Sequence, residues 1–326
     1  MLEAEARKLT VSCGRELLEK GLVARTWGNV SCRVDSDTMV ITPSGMDYKA
    51  ITENDIVKMN IATGEWEGLH KPSGEKGVHR AAYECFADAG FVVHTHQDCA
   101  SATSLAGFDT LVITEKEKAL LGGIALAEYG LPGQKKLTEN VRKCLKTGAH
   151  TVLMAKHGAL ICAKDKDEAM LRSALLEKIC RRSLKCMPKH EPGIIETGVM
   201  RLVRAEYPNA DYISTANLLC AADMGRAIPA QLDDMAQMIG FCIPIVKNAP
   251  EAVRALKCSN AVLMPGYGAI VNAEDKDDVE ALKLLCDKAA LCLLHTRGCR
   301  ARSRVGAIDT ALMHAVYRLK YSKQKG

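Results

Sequence analysis

His94 and His96 flank Thr95 in the apolar run "FVVHTH" (91–96). Side chains of a strand alternate between its two faces, so a His-x-His pair on a strand presents both imidazoles to the same side, where they can share one metal ion. His157, in the turn "KHG" (156–158), offers a third nitrogen. Three neutral imidazoles leave a coordination position open, which is the arrangement of a catalytic rather than a structural zinc site. The fourteen cysteines include no C-x-x-C pair and none has the spacing to close such a site, so they read as reduced core residues. One Zn²⁺ per chain is the expectation, and the sequence does not discriminate it from Mn²⁺, Fe²⁺ or Co²⁺.

The elements that must position these residues follow from periodicity. Ala6, Leu9, Cys13 and Leu17 predict a helix over 3–20 that Gly21 stops. "NVSCRV", "TMVITPSG" and "DIVKMNIATGEWEG" predict strands, the last a hairpin turning at Ala62 to Gly64. A helix is expected from Gly74 to Ala87, then the buried strand carrying the His pair. Another helix spans 136–147, then the hairpin "TVLMAKHGALICA" and a long helix capped by Asp165 or Asp167 and ending near Met187.

With 326 residues, 48% of them hydrophobic, the chain can bury a large core in about two domains. No stretch approaches the roughly 20 apolar residues of a membrane helix, and the charged amphipathic start lacks the core of a signal peptide, so a cytoplasmic, non-membrane protein is expected. A net charge of +5, gathered mostly in 297–304 and 317–326, reads as solvated surface. Four Phe and two Trp give no evident stacking platform for bases, which argues against nucleic-acid binding.

The second half repeats the first in abbreviated form. "LMAKHGALICAKDKDE" (153–168) returns as "LMPGYGAIVNAEDKDD" (263–278), identical at eight of sixteen positions. "EKGVHR" (75–80) returns as "ETGVMR" (196–201), and "FVVHTHQDCASA" (91–102) as "YISTANLLCAAD" (212–223). These place Thr215 over His94, Asn217 over His96 and Tyr267 over His157, while Glu196 persists over Glu75. All three prospective ligands disappear together, as expected of a copy that has given up its metal. A catalytic domain at 1–190, a linker at "MPKHEPG" (187–193) and a degenerate repeat at 194–326 are therefore expected, the first 70 residues having no counterpart.

"TWGNVSCR" (26–33), "ITPSGMDY" (41–48), "KPSGEKGVH" (71–79), "VVHTHQDCASA" (92–102) and "KHGALI" (156–161) together resemble the class II, zinc-dependent aldolase/adducin superfamily that includes L-fuculose-phosphate aldolase and L-ribulose-5-phosphate 4-epimerase. The resemblance runs through residues 1–187 in motif order. It implies an α/β fold, a three-layer α/β/α domain with a mostly antiparallel central sheet, followed here by a truncated repeat. It also implies a homo-oligomer with sites between neighbouring subunits, where an inactive fused copy would serve as a permanent neighbour.

Carried over residue by residue, the resemblance makes His94, His96 and His157 the zinc ligands and Glu75 the carboxylate that leaves the metal to act as acid/base. Epimerases of this group carry aspartate at that point, so Glu75 favours carbon–carbon cleavage. Gly28, Asn29, Ser44, Gly45, Ser73 and Gly74 correspond to the phosphate-binding turns, with Gly74 standing where the family has a second serine. The loop that supplies a catalytic tyrosine or aspartate in relatives reads "ITEKEKALLGG" (113–123) and has neither at the matching place. Glu115, Lys116, Glu117, Tyr317 and Tyr321 are weak substitutes. The implied activity is retro-aldol cleavage of a ketose 1-phosphate or related sugar through a zinc-bound enediolate. The alternatives are a 4-epimerase, dehydratase or decarboxylase on the same site, and a non-catalytic scaffold.

Overall fold

The computed structural model describes residues 1–185, 191 and 194–321. The chain divides into two compact units, residues 1–183 and 184–326. Apart from Glu191, the linker expected at 187–193 lies outside the described residues.

In the first unit helix α1 (Glu3–Glu19) precedes strands β1 (Asn29–Arg33), β2 (Thr38–Ile41), β3 (Val57–Asn60) and β4 (Trp66–Glu67). Then come α2 (Lys76–Cys85), β5 (Phe91–Thr95), α3 (Asp98–Ser104), α4 (Glu115–Leu120), β6 (Ile124–Ala127), α5 (Lys135–Leu145), β7 (Thr151–Met154), β8 (Gly158–Ala163) and α6 (Lys166–Ser183). The eight strands form one sheet in the order β4-β3-β2-β1-β5-β8-β7-β6, antiparallel throughout except for the parallel pair β6–β7. The β6 strand, short and followed directly by a polar turn, carried no strand signal strong enough to be expected.

Strand alternation sorts the core into two clusters, one on each face. Met39, Ile41, Val92, Val152, Met154, Leu160 and Cys162 pack against Val78, Ala82, Leu137 and Val141 of α2 and α5. Val30, Cys32, Val40, Phe91, Val93 and Ala163 pack against Ala6, Cys13 and Leu17 of α1 and Met170 of α6. Helices on both faces make the expected three-layer α/β/α arrangement with a mostly antiparallel sheet. Asp165 caps α6 by accepting from the Glu168 amide at 2.9 Å, but the helix ends at Ser183, four residues short of the expected end.

The second unit holds α7 (Thr197–Glu206), β9 (Asp211–Ile213), α8 (Ala216–Asp223), β10 (Ile228–Pro229), α9 (Asp233–Met238), β11 (Cys242–Ile243), α10 (Ala249–Ala255), β12 (Ala261–Met264), β13 (Gly268–Val271), α11 (Lys276–Gly298) and α12 (Ala307–Val316). Its three-stranded sheet has the order β12-β13-β9, and both pairs are antiparallel. Ile245 bridges Leu263 in parallel.

The strand pairing gives a register that differs from the sequence match. Ala159 faces Thr95, and Ala269, matched to it in the sequence comparison, faces Ile213. Counted from that register, Tyr212 and Ser214 hold the strand positions of His94 and His96, not Thr215 and Asn217. Those two lie at the start of α8, where both donate to Asp287 Oδ1. The matching place in the first unit is the start of α3, where Glu177 accepts from the Cys99 and Ala100 amides at 2.9 and 3.1 Å.

Candidate metal centre

Strand β5 delivers His94 on the face covered by α2, and His96 follows two residues later on the same side. His157 comes from the turn between β7 and β8, whose Lys156 adopts a left-handed φ of 66°. Gly158 must lack a Cβ because one would collide with the Thr95 carbonyl, so the turn lies directly beside the end of β5. Glu75 sits immediately before α2. The three ring centroids are 4.7, 4.9 and 4.8 Å apart. Donor atoms of Glu75, His94, His96 and His157 all lie within 4.8 Å of one another.

One of the converging nitrogens has its tautomer set by the backbone. His94 Nδ1 donates to the Ala159 carbonyl at 2.9 Å, which leaves Nε2 of the neutral ring without a proton. That Nε2 lies 3.0 Å from His96 Nε2 and 3.0 Å from Glu75 Oε2, and His157 Nε2 lies 2.7 Å from Glu75 Oε1. Three imidazole nitrogens and a carboxylate converging at such separations make a donor set that fits a divalent metal ion. Burial pushes the Glu75 carboxyl up, and the facing His94 and His157 rings more than offset it, holding it well below the usual carboxylate range.

The expected phosphate residues fall into two groups. Ser44, Gly45, Ser73 and Gly74 belong to two loops strapped together by the Pro43–Pro72 bridge, the Ser44 amide on the Lys71 carbonyl at 2.9 Å and the Ser73 amide on the Thr42 carbonyl at 3.0 Å. Ser44, Gly45 and Gly74 are exposed, and Ser73 Oγ accepts from the Glu75 amide at 3.2 Å. Gly28 and Asn29 instead lie against the metal cluster. Gly28 has a φ of 79°, and a Cβ there would meet the His94 carbonyl at 2.6 Å. Asn29 pairs with His94 across β1 and β5, and its Nδ2 donates to Glu75 Oε2 at 3.1 Å.

Two of the substitutes in the 113–123 loop, Glu115 and Glu117, have structural roles. Glu117 completes a capping box with Thr114 at the start of α4 and pairs with Arg182 at 2.8 Å. Glu115 pairs with Lys118 of the same helix at 3.3 Å. Tyr317 and Tyr321 fall in the terminal helical turn of the second unit.

Two features at the cluster were not expected. The Trp27 ring stacks over His96 at 6.3 Å between centroids. His79, wholly buried on α2, bonds through Nε2 to Asn29 Oδ1. Its signal was available: Glu75 and His79 are four residues apart, one helical turn, and share a face.

The Class II Aldolase and Adducin N-terminal domain matches residues 8–184. L-fuculose phosphate aldolase of Escherichia coli K12 is 32% identical over 188 residues, covering 57% of this chain and 86% of that protein. L-ribulose-5-phosphate 4-epimerase UlaF of Salmonella paratyphi B is 29% identical over 179 residues, covering 51% and 78%. The crystal structure of YgbL from Escherichia coli, described as a putative aldolase/epimerase/decarboxylase, matches with a TM-score of 0.52 at 25% identity, covering 56% of this chain and 89% of that one.

Proposed function

Because the chain belongs to the class II aldolase and adducin family, we propose that its first unit is a metal-dependent lyase that cleaves a ketose 1-phosphate, or a closely related sugar, by a reversible retro-aldol reaction. The observation that carries this reading is the convergence of three imidazole nitrogens and the Glu75 carboxylate within 4.8 Å. A glutamate in that place, where the family's epimerases have aspartate, favours bond cleavage.

His94, His96 and His157 would hold the ion through their ring nitrogens, the Ala159 carbonyl keeping the His94 tautomer that has its lone pair at Nε2. Zinc is the ion proposed. When bound, a divalent cation supplies Lewis-acid stabilisation of the negative charge that develops on the sugar's ketone oxygen. Glu75 moves a proton at C3. As the C3–C4 bond breaks, its electron pair passes to the three-carbon fragment, the C4 hydroxyl gives its proton to water as the aldehyde forms, and Glu75, after taking up a proton from the same water, delivers it to C3, so the protons balance over the cycle. The strapped loops of Ser44, Gly45, Ser73 and Gly74 bind the phosphate through hydroxyls and amides. Gly28 lets the chain pass close to His94, and Asn29 holds Glu75 from the same strand.

Residues 194–326 are proposed as a truncated, degenerate repeat without metal ligands. The antiparallel pairing of β9 with β13, the hairpin of β12 and β13 and the long α11 support this reading by matching β5 with β8, β7 with β8, and α6.

The test is a coupled assay for dihydroxyacetone phosphate released from a panel of ketose 1-phosphates, with metal analysis of the same preparation. Protein expressed with ample zinc that carries no metal would refute the reading. A product of unchanged mass points to 4-epimerisation, loss of water to dehydration, and loss of carbon dioxide to decarboxylation.

A further inference from the structure

Glu75, His79 and Tyr83 recur every four residues along the stripe of α2 that meets the sheet, and Asn29 and Ser31 recur every two on the face of β1 opposite. The five side chains interdigitate. Asn29 Nδ2 lies 3.1 Å from Glu75 Oε2 and Asn29 Oδ1 meets His79 Nε2. His79 Nδ1 lies 2.7 Å from Ser31 Oγ, which in turn lies 2.9 Å from the Tyr83 hydroxyl. Ser31 and His79 are fully buried, Tyr83 and Asn29 nearly so.

Only one direction of donation satisfies every atom. An ionised Glu75 accepts, so the Asn29 amide must turn its N–H towards it and its oxygen away. That oxygen needs a donor, and His79 Nε2–H is the one in reach. A neutral imidazole that donates at Nε2 accepts at Nδ1, so Ser31 must donate there and take its own hydrogen bond from Tyr83. Burial favours the neutral ring.

We infer that His79 is a positioning residue for Glu75, acting through Asn29 at the end of this one-way chain from Tyr83 to the carboxylate. Amide oxygen and nitrogen are nearly the same size, so packing alone does not choose between the two orientations of Asn29. Its flipped form would set oxygen against the Glu75 carboxylate. The His79 N–H removes that form, and with Nδ2–H fixed at Oε2, a proton taken up by Glu75 goes to Oε1, on the His157 side.

This inference rests on the proposed role of Glu75, and its test reads metal binding and tautomer state separately from turnover. In the unmodified full chain, ¹⁵N-histidine spectra should show His79 as the neutral Nε2–H tautomer at neutral pH, assigned by the signal lost in His79→Gln. An Nδ1–H tautomer or an imidazolium overturns the chain whether or not any variant folds. His79→Phe keeps the ring volume and removes the donor. It should weaken zinc affinity, measured by chelator competition, by about tenfold or more. It should also lower kcat by a similar factor while KM changes less than about threefold. His79→Gln restores an N–H towards Asn29 and should recover most of both losses. A Phe variant with unaltered affinity and kcat, or a Gln variant as impaired as Phe, overturns the inference. If the unmodified chain binds zinc but turns over no sugar, the aldolase reading fails and the affinity and tautomer measurements still decide this one.

Discussion

The Tyr267 hydroxyl donates to Glu196 Oε1 across 3.0 Å, in the second unit, where His157 Nε2 meets Glu75 Oε1 across 2.7 Å in the first. Tyr212 and Tyr267 also pack into the core cluster beside α7, as the His-bearing strand packs beside α2. In the second unit the carboxylate is thus met by a neutral hydroxyl donor in place of an imidazole.

Replacing Tyr212, Ser214 and Tyr267 together by histidine should therefore recreate a second metal site beside Glu196. Metal analysis of the triple variant is expected to give two ions per chain in place of one. Thr215→His with Asn217→His, at the helix positions, should leave the ratio unchanged. A triple variant that folds and stays at one would refute the proposed repeat at this site.

His94→Ala removes a nitrogen whose tautomer is set by the Ala159 carbonyl, and with it one of three nitrogen donors. Zinc retained through a desalting column should fall to less than about a tenth of the unmodified level, with turnover lost in parallel.

Glu75→Gln keeps the shape of the side chain and removes its ability to carry a proton. Zinc should stay bound through the three histidines, with its affinity weakened at least as much as in His79→Phe, while kcat falls by about 10² to 10⁴, the range for losing a positioned acid/base. Turnover within a factor of two of the unmodified enzyme would exclude Glu75 from proton transfer.

Acid should destabilise the metal-free fold in two overlapping windows. Burial, with the neighbouring His94 charge adding to it, lowers His79 from the ordinary 6.5 to about 3. Between those values the unfolded chain binds a proton that the folded one refuses, so stability falls as pH drops from about 6.5, by up to about 1.4 kcal/mol per pH unit. Glu75, whose folded value is depressed, adds a loss in the same direction below its ordinary 4.5. In urea titrations of chelator-treated protein, the drop in midpoint from pH 7 to pH 5 should be smaller for His79→Gln than for the unmodified chain.

Gly74→Ser adds a hydroxyl to the proposed phosphate loop, and a Cβ there meets nothing within 4 Å. The variant should fold with an unchanged melting temperature and lower KM for a phosphorylated substrate several-fold, with no change for the dephosphorylated sugar. A rise in KM would separate the 71–74 loop from phosphate binding.

His94 and His96 were legible because a strand's two-residue period is visible in its letters, and His157 because the hairpin that bears it repeats in the second half. The β6 strand was not, since four residues without a clear alternation become a strand only when β7 lies alongside to pair with them. The role of Asn29 was only half legible: its place near the site came from a motif, its bond to Glu75 from a helix packed across the strand. Identities such as Cys99 with Cys220 gave a match three residues away from the register of the strand pairing, because side-chain likeness along a helix carries no information about hydrogen-bond register in the neighbouring strand.

The sequence by itself determined the kinds of atom available, the faces on which they fall and the family to which the first unit belongs, all of which depend on local spacing. Only the tertiary structure decided that three rings and a carboxylate meet, which way the Asn29 amide points and how β9 registers on β13. Those depend on contacts between segments 46 to 82 residues apart, such as Asn29 with Glu75 and Glu75 with His157. Chain closure over that distance is directed by burying the two faces of the sheet, not by the letters at the site.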